Sequence, residues 1–177
     1  MRVFLNCQPH ADSGGQRFMF EAGVKCVIKE PITSRYVMMI ETICGQYLIP
    51  ITIGTFEAEA IYQELNRIPS PRPMTHQFIG GILGVLDGVY VENVIIDNVE
   101  KGVFTAKLNI HTEGESKTVD CRPSDGVALA LHMSVPLFIE EQVVSKSCCI
   151  ERTGLTIAEE RALFGIIDDQ GTTFWNV

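Results

Sequence analysis

Three short segments carry most of the side chains able to do chemistry. They are Gly54-Thr55-Phe56-Glu57-Ala58-Glu59-Ala60, Pro71-Arg72-Pro73-Met74-Thr75-His76 and Asp120-Cys121-Arg122-Pro123-Ser124-Asp125. Each stands at the predicted start of a helix. Together they hold two arginines, a histidine and several carboxylates. Helix N-termini and arginine both bind phosphate groups, the arginine through two parallel N–H bonds. Histidine and carboxylate are the usual proton-transfer groups. The set fits anion binding coupled to acid–base chemistry.

The elements that must position these groups follow from pattern. In the third segment, Pro123 favours an extended Arg122, Ser124 reads as an N-cap, and Asp125 suits the positive end of the helix dipole. Gly126 to Leu131 is apolar or small on every side, which marks a buried helix running to about His132. Taken alone, this segment is a helix cap with an Arg–Asp pair. In the first segment the helix spans roughly Phe56 to Ile68, with Ala58, Ile61, Tyr62, Leu65 and Ile68 as its apolar stripe. Glu57 borders that stripe and Glu59 lies further round toward solvent, so geometry favours Glu57 as the functional carboxylate. Dipole complementation alone would also account for both acids. In the second, alternate prolines hold Pro69 to Pro73 extended, Thr75 is the expected N-cap, and Phe78, Ile79, Ile82, Leu83 and Leu86 form the expected buried face. Gly80, Gly81 and Gly84 are poor helix formers and imply close approach of another backbone.

Around these helices lie strands. Val24 to Glu30, Tyr36 to Ile43 and Tyr47 to Ile53 are predicted strands, the last two joined by a turn at Gly45, with Pro50 marking an edge or a bulge. Val89 to Ile96, Val103 to His111 and Ser116 to Cys121 read as an antiparallel meander, and Pro136 to Ile139 as a short strand. This order is not the strict alternation of a doubly wound fold. An α+β domain with a largely antiparallel or mixed sheet and helices packed on it is the expected class. The expected organisation is a lead-in over 1–23, the domain over 24–147, and a tail over 148–177 with a short helix from Thr156.

Composition narrows the function. The chain is 46% apolar over 177 residues, enough for one domain with a proper core. No window reaches the roughly 18 apolar residues of a membrane span, and the first residues do not form a secretory signal. A cytoplasmic location with no membrane partner is the expectation. Six cysteines show no CxxC spacing, which argues against a zinc site and gives no clear disulfide framework. The net charge of −8 excludes a broad cationic surface of the kind that grips nucleic acid, so any such substrate must meet a small local site.

The motifs in fixed order resemble the bifunctional nuclease family. Ile49-Pro50-Ile51-Thr52-Ile53-Gly54, Glu57-Ala58-Glu59-Ala60-Ile61, Pro71-Arg72-Pro73-Met74-Thr75-His76 and Arg122-Pro123-Ser124-Asp125 carry the likeness, which spans about Val24 to Val144. Gln77 stands where that family often has aspartate, and Gly126 where alanine is usual. The resemblance implies hydrolysis of phosphodiester bonds in DNA and RNA. Arg72, Arg122 and Ser124 would then bind substrate, and Glu57, His76 and Asp125 would act as acid and base. A divalent cation such as magnesium, on Glu57, Asp120 or Asp125, is compatible with it, although no cluster has a recognised metal spacing. The alternative is a non-catalytic structural or regulatory module that binds a small anion, its motifs forming an internal ion-pair network. The apolar runs Tyr36 to Ile43 and Tyr47 to Ile53 lead to the expectation of a homodimer or higher homo-oligomer.

Overall fold

The computed structural model describes residues 10–11, 18–30 and 33–151. Strands β1 (His10–Ala11), β2 (Phe18–Lys29), β3 (Tyr36–Thr42) and β4 (Tyr47–Ile53) precede two helices, α1 (Thr55–Asn66) and α2 (Thr75–Gly84). The meander β5 (Tyr90–Glu100), β6 (Val103–Thr112) and β7 (Glu115–Cys121) leads into α3 (Pro123–Met133). β8 (Leu137–Glu140), α4 (Glu141–Lys146) and β9 (Ile150–Glu151) follow. The strands form one sheet in the order β7-β6-β5-β8-β2-β3-β4-β9, with β1 on β2. Every pairing is antiparallel except β5 with β8. The fold is therefore α+β with a mixed sheet, as the sequence pattern leads one to expect.

Both hairpin turns of the meander use residues at positive φ, Lys101-Gly102 and Glu113-Gly114. That is the two-residue geometry whose twist matches flanking strands, and it extends β5 beyond the predicted Ile96 to Glu100. β2 also starts earlier than Val24. Met19 and Phe20 pair with Glu140 and Ile139 of β8, a partner more than a hundred residues away that local pattern cannot show. The expected tail helix from Thr156 lies outside the described residues, as does most of the lead-in before Phe18.

The core sits between the sheet and the helices. Met38, Ile40, Ile49, Ile61, Val94, Ile96 and Val127 are fully buried there. Met39, Leu48 and Cys26 form a second buried cluster. The runs Tyr36–Ile43 and Tyr47–Ile53 thus point their apolar side chains into their own domain, with Ile43 in the following turn the exposed exception. Pro50 has the edge position predicted for it: β4 meets β9 only at Tyr47 and Leu48, and Met39 of β3 faces Pro50 on the other side. Cys44 lies in the β3–β4 turn and is disulfide-bonded, whereas Cys26 is a buried free thiol. Among the described residues no helix is long and apolar enough to cross a membrane.

α2 departs most from expectation. Its buried positions are His76 and Gly80, with Leu83 packed partly against the core. Phe78, Ile79, Ile82 and Leu86 are 41–61% exposed. Gly80 explains the orientation. A Cβ there would stand 2.9 Å from Cδ2 of His132 on α3, so this side of α2 lies against its neighbour. Gly81 and Gly84 have no such neighbour, so close packing accounts for Gly80 alone. Gly126 has a comparable reason: a Cβ would meet Val94 Cγ1 at 2.9 Å and Cys121 Sγ at 3.1 Å.

Candidate active site

The first turns of α1, α2 and α3 line one cavity of about 920 Å³. α1 contributes Phe56 and Glu57, α2 Met74, Thr75 and His76, and α3 Ser124, Asp125 and Gly126, while β6 and β7 close the floor with Thr105, Leu108, Asp120 and Cys121. Segments more than sixty residues apart in the chain therefore meet at one place. Local caps differ in detail from the sequence reading. Arg122 is the N-cap of α3, because Pro123 occupies the first helical position where its missing N–H costs nothing. Ser124 falls inside the first turn, buried in the cavity wall. Met74, not Thr75, caps α2, and its N–H donates to Gln77 Oε1 at 3.0 Å.

Arg122 joins two of these helix starts. Its Nε and Nη2 donate to the two oxygens of Asp125 at 2.7 and 2.9 Å, a bidentate pair. Its Nη1 reaches Oε1 of Glu57 at 2.8 Å. A guanidinium has five N–H donors, so two remain for an anion. The Arg122 side chain is 66% exposed, which leaves them within reach of a ligand. The bond from Asp125, then its charge and that of Glu57, raise the guanidinium pKa still further, so it stays cationic at any working pH. Glu57 owes its place to Gly54: a Cβ on Gly54 would overlap Glu57 Oε2, so only glycine lets this carboxylate fold back over the helix start. Glu59 is exposed and bonded only to Gln63 on its own helix, in keeping with its expected solvent-facing position.

His76 lines the same cavity but is held from behind. Its Nε2 lies 2.8 Å from Oε1 of Glu64, which also accepts from Gln77 Nε2 at 2.8 Å and lies 3.3 Å from His132 Nδ1. The two imidazoles meet edge to face with centroids 5.8 Å apart. Burial is the largest influence on Glu64 and pushes its carboxyl up. The bonds from Gln77 and His76, with the charges of His132 and His76, outweigh it and hold the pKa below the ordinary carboxylate value. Glu64 was not legible as a site residue. Its one signal is position: it is seven residues from Glu57, hence two turns along the same helix face. Gln77, where the resembled family often has a carboxylate, here donates to one.

Arg72 is not part of this assembly. It is exposed on the proline connector and does not line the cavity. Cys121 does line it, with a thiol pushed up to about 11 by burial and then by Asp125 and Asp120, so it is protonated and a poor nucleophile at neutral pH. Among the described residues no group of three or more His, Cys, Asp or Glu side chains is arranged to hold a metal ion. Glu57 and Asp125 are both engaged with Arg122.

The chain is thus an α+β domain in which three helix starts bring an arginine, carboxylates and a histidine around one cleft. The model of the bifunctional nuclease domain matches residues 38–151, and the chain belongs to that family. It is also similar to two uncharacterized proteins of Mycobacterium tuberculosis, one from each of two strains. Each is 32% identical over 155 residues, covering 88% of this chain and 85% of the relative.

Proposed function

We propose that the protein is a nuclease that hydrolyses phosphodiester bonds of DNA and RNA in the cavity at the three helix starts. The observation that carries this reading is the exposed Arg122 guanidinium at that convergence, with donors left over after binding Glu57 and Asp125. A phosphate entering there meets arginine and the first turns of three helices, which together offset the charge that builds on it during attack. Ser124 adds a hydroxyl in the wall. His76, with Nε2 fixed by Glu64, is the proton acceptor of the reading: a carboxylate that holds one ring nitrogen sets the tautomer and leaves the other to take a proton from water. Glu57 and Asp125 sit on either side of the guanidinium as ionised carboxylates and fix it where the phosphate enters, and the leaving oxygen takes its proton from water. Arg72 is left out of this centre. The localised cation also suits a chain of net charge −8, which binds short single-stranded or flexible segments better than long duplex. A homo-oligomer acting in the cytoplasm completes the proposal.

A second reading is favoured by the same triad. Arg122 is already paired with two carboxylates, so the motif also reads as a clasp between α1 and α3 in a module that binds a small anion without cleaving it. One experiment separates the two. Purified protein is incubated with single- and double-stranded DNA and RNA, with magnesium, manganese or chelator. Hydrolysis is expected for the wild type. Arg122→Ala and His76→Ala, checked for folding by circular dichroism, are expected to lose at least ~100-fold in kcat/KM. Unchanged activity in both folded variants marks a contaminant and overturns the nuclease reading. Binding without cleavage by the wild type favours the clasp.

A further inference from the structure

Three nitrogens converge on one oxygen of Glu64. Gln77 Nε2 and His76 Nε2 each lie 2.8 Å from Oε1, and His132 Nδ1 lies 3.3 Å from it. A carboxylate oxygen has two lone pairs, and the two shorter contacts take them. His132 is the third claimant, close enough for an ion pair but beyond the usual reach of about 2.7–3.2 Å for an N–H bond. The two rings differ in their access to water: the His132 side chain is 35% exposed and that of His76 only 7%. His132 has little room to leave. It meets the His76 ring edge to face, and even a Cβ added at Gly80 of α2 would stand 2.9 Å from its Cδ2.

We infer that His132 is a second positioning residue for His76 and acts through Glu64: uncharged, it leaves Oε1 to His76, and protonated, it takes Oε1 for itself. A bond from an imidazolium to a carboxylate is roughly twice as strong as one from a neutral ring, so the charge decides the contest. Water solvates a charge on His132 far better than one on the enclosed His76, so the first proton goes to His132. Glu64 is still ionised at that point, because its bonds and neighbouring charges hold it below the ordinary carboxylate value. Once Glu64 turns to His132, His76 Nε2 loses the acceptor that fixes its tautomer, and the ring no longer presents a set base to the cavity. Among the described residues the other charges on the packed elements are engaged elsewhere or exposed. Glu57 and Asp125 hold Arg122, Glu59 is bonded to Gln63, and Asp120 is exposed. From Met74 to Leu86 there is no Asp, Glu, Lys or Arg. On the sheet, Glu92 pairs with His111 and Asp97 with Lys107, and Glu100 is exposed. Under α1, Lys25 pairs with Glu41, and Glu21 and Lys29 are exposed. The charges that act on Glu64 are those of His132 and His76.

This inference rests on the proposed role of His76 as the base, but its first test needs no activity. Nuclear magnetic resonance of the ring N–H groups of the full chain follows the His76 Nε2 proton, which its bond to Glu64 shields from exchange. In wild type the signal is expected at about pH 8 and is lost as His132 gains its proton on the way to about pH 5. His132→Asn keeps an uncharged donor in place of Nδ1, and His132→Phe keeps the ring without its nitrogens. In either variant, with unchanged circular dichroism, the signal is expected to persist over the whole range. The second test is the acid side of a plot of log kcat/KM against pH. Its limiting slope is expected to be about two in wild type, one proton for each ring, and about one in the variants. A wild-type signal that is absent at about pH 8 or persists to about pH 5 overturns the inference. The same pH course in wild type and a folded variant overturns it too, as do equal slopes when cleavage is measured. The expected resonance course in a protein that cleaves nothing upholds the role of His132 and refutes only the nuclease reading.

Discussion

Two polar clusters tie these helices together, one across α1 and α3 and the other across all three, and they are built in opposite ways. At the helix starts a cation, Arg122, is shared by two carboxylates and is largely open to water. Deeper along α1 a carboxylate, Glu64, collects a glutamine and two histidines and is only 14% exposed. Exposed ion pairs contribute little to stability because water and salt compete with them, typically about 0.2–1 kcal/mol. A buried carboxylate bound by several donors cannot be removed without leaving those donors unsatisfied. The first cluster can exchange partners with a ligand at small cost. The second holds α1, α2 and α3 in register so that the first exists at all.

The sharpest way to break this contrast is to remove each hub in turn. Arg122→Ala is expected to abolish most activity, as given above, while shifting stability by about 1 kcal/mol or less. Glu64→Ala is expected to act chiefly on stability, with activity falling as well because His76 loses the carboxylate that fixes Nε2. It leaves His76, His132 and Gln77 without their acceptor, costing about 1–3 kcal/mol, which thermal unfolding would read as a fall in Tm of several degrees. A large loss of Tm in Arg122→Ala with a neutral Glu64→Ala inverts the assignment.

Gly54→Ala tests positioning more gently. The backbone at Gly54 is extended, φ −77° and ψ 167°, so alanine fits there without strain. The added Cβ displaces only the Glu57 carboxylate. Stability is expected to change by less than about 1 kcal/mol while kcat/KM falls about tenfold. Equal kinetics in wild type and variant would remove Glu57 from the centre.

The smallest expected effect is on acid stability. The Glu64 pKa is lowered in the folded protein, so the ionised, bonded carboxylate contributes stability above the ordinary carboxylate range. That contribution is lost as pH falls through the lowered value. Glu64→Gln should therefore flatten the acid limb of a plot of Tm against pH. Burial pushes the Asp97 carboxyl up, but the bonds from Lys107 and Thr105 with the Lys107 charge outweigh it and lower the pKa, so Asp97 contributes to the limb in both proteins. An acid limb identical in slope for Glu64→Gln would show that the buried cluster is not what titrates.

The residues that were legible in sequence are those whose neighbours are local. β4 has its predicted bounds, and the three helix starts do converge on one cavity. Asp125 and Arg122 pair as their spacing of three leads one to expect. What escaped depends on distant partners. Periodicity found the apolar face of α2 but could not say whether its own core or another surface would cover it. Glu64 drew no reading from the local pattern, because the His76 and His132 that reach it lie on other helices. Ser124 and Thr75 have cap chemistry, yet the capping positions fell to Arg122 and Met74, since Pro123 must take the first helical place and Gln77 already serves the Met74 N–H. Arg72, one of the arginines that the resemblance marks for phosphate, is exposed on the connector and lies outside the cavity.

In the proposed function the Arg122 guanidinium, while held by Glu57 and Asp125, receives a phosphate. Nuclear magnetic resonance of arginine Nε–H groups tests it most directly, with the full chain titrated with a short oligonucleotide whose phosphorothioate linkages resist cleavage. The Arg122 resonance is expected to shift in a saturable manner while that of Arg72 stays in place. Saturable binding that leaves Arg122 unmoved, or no binding at all, would contradict it.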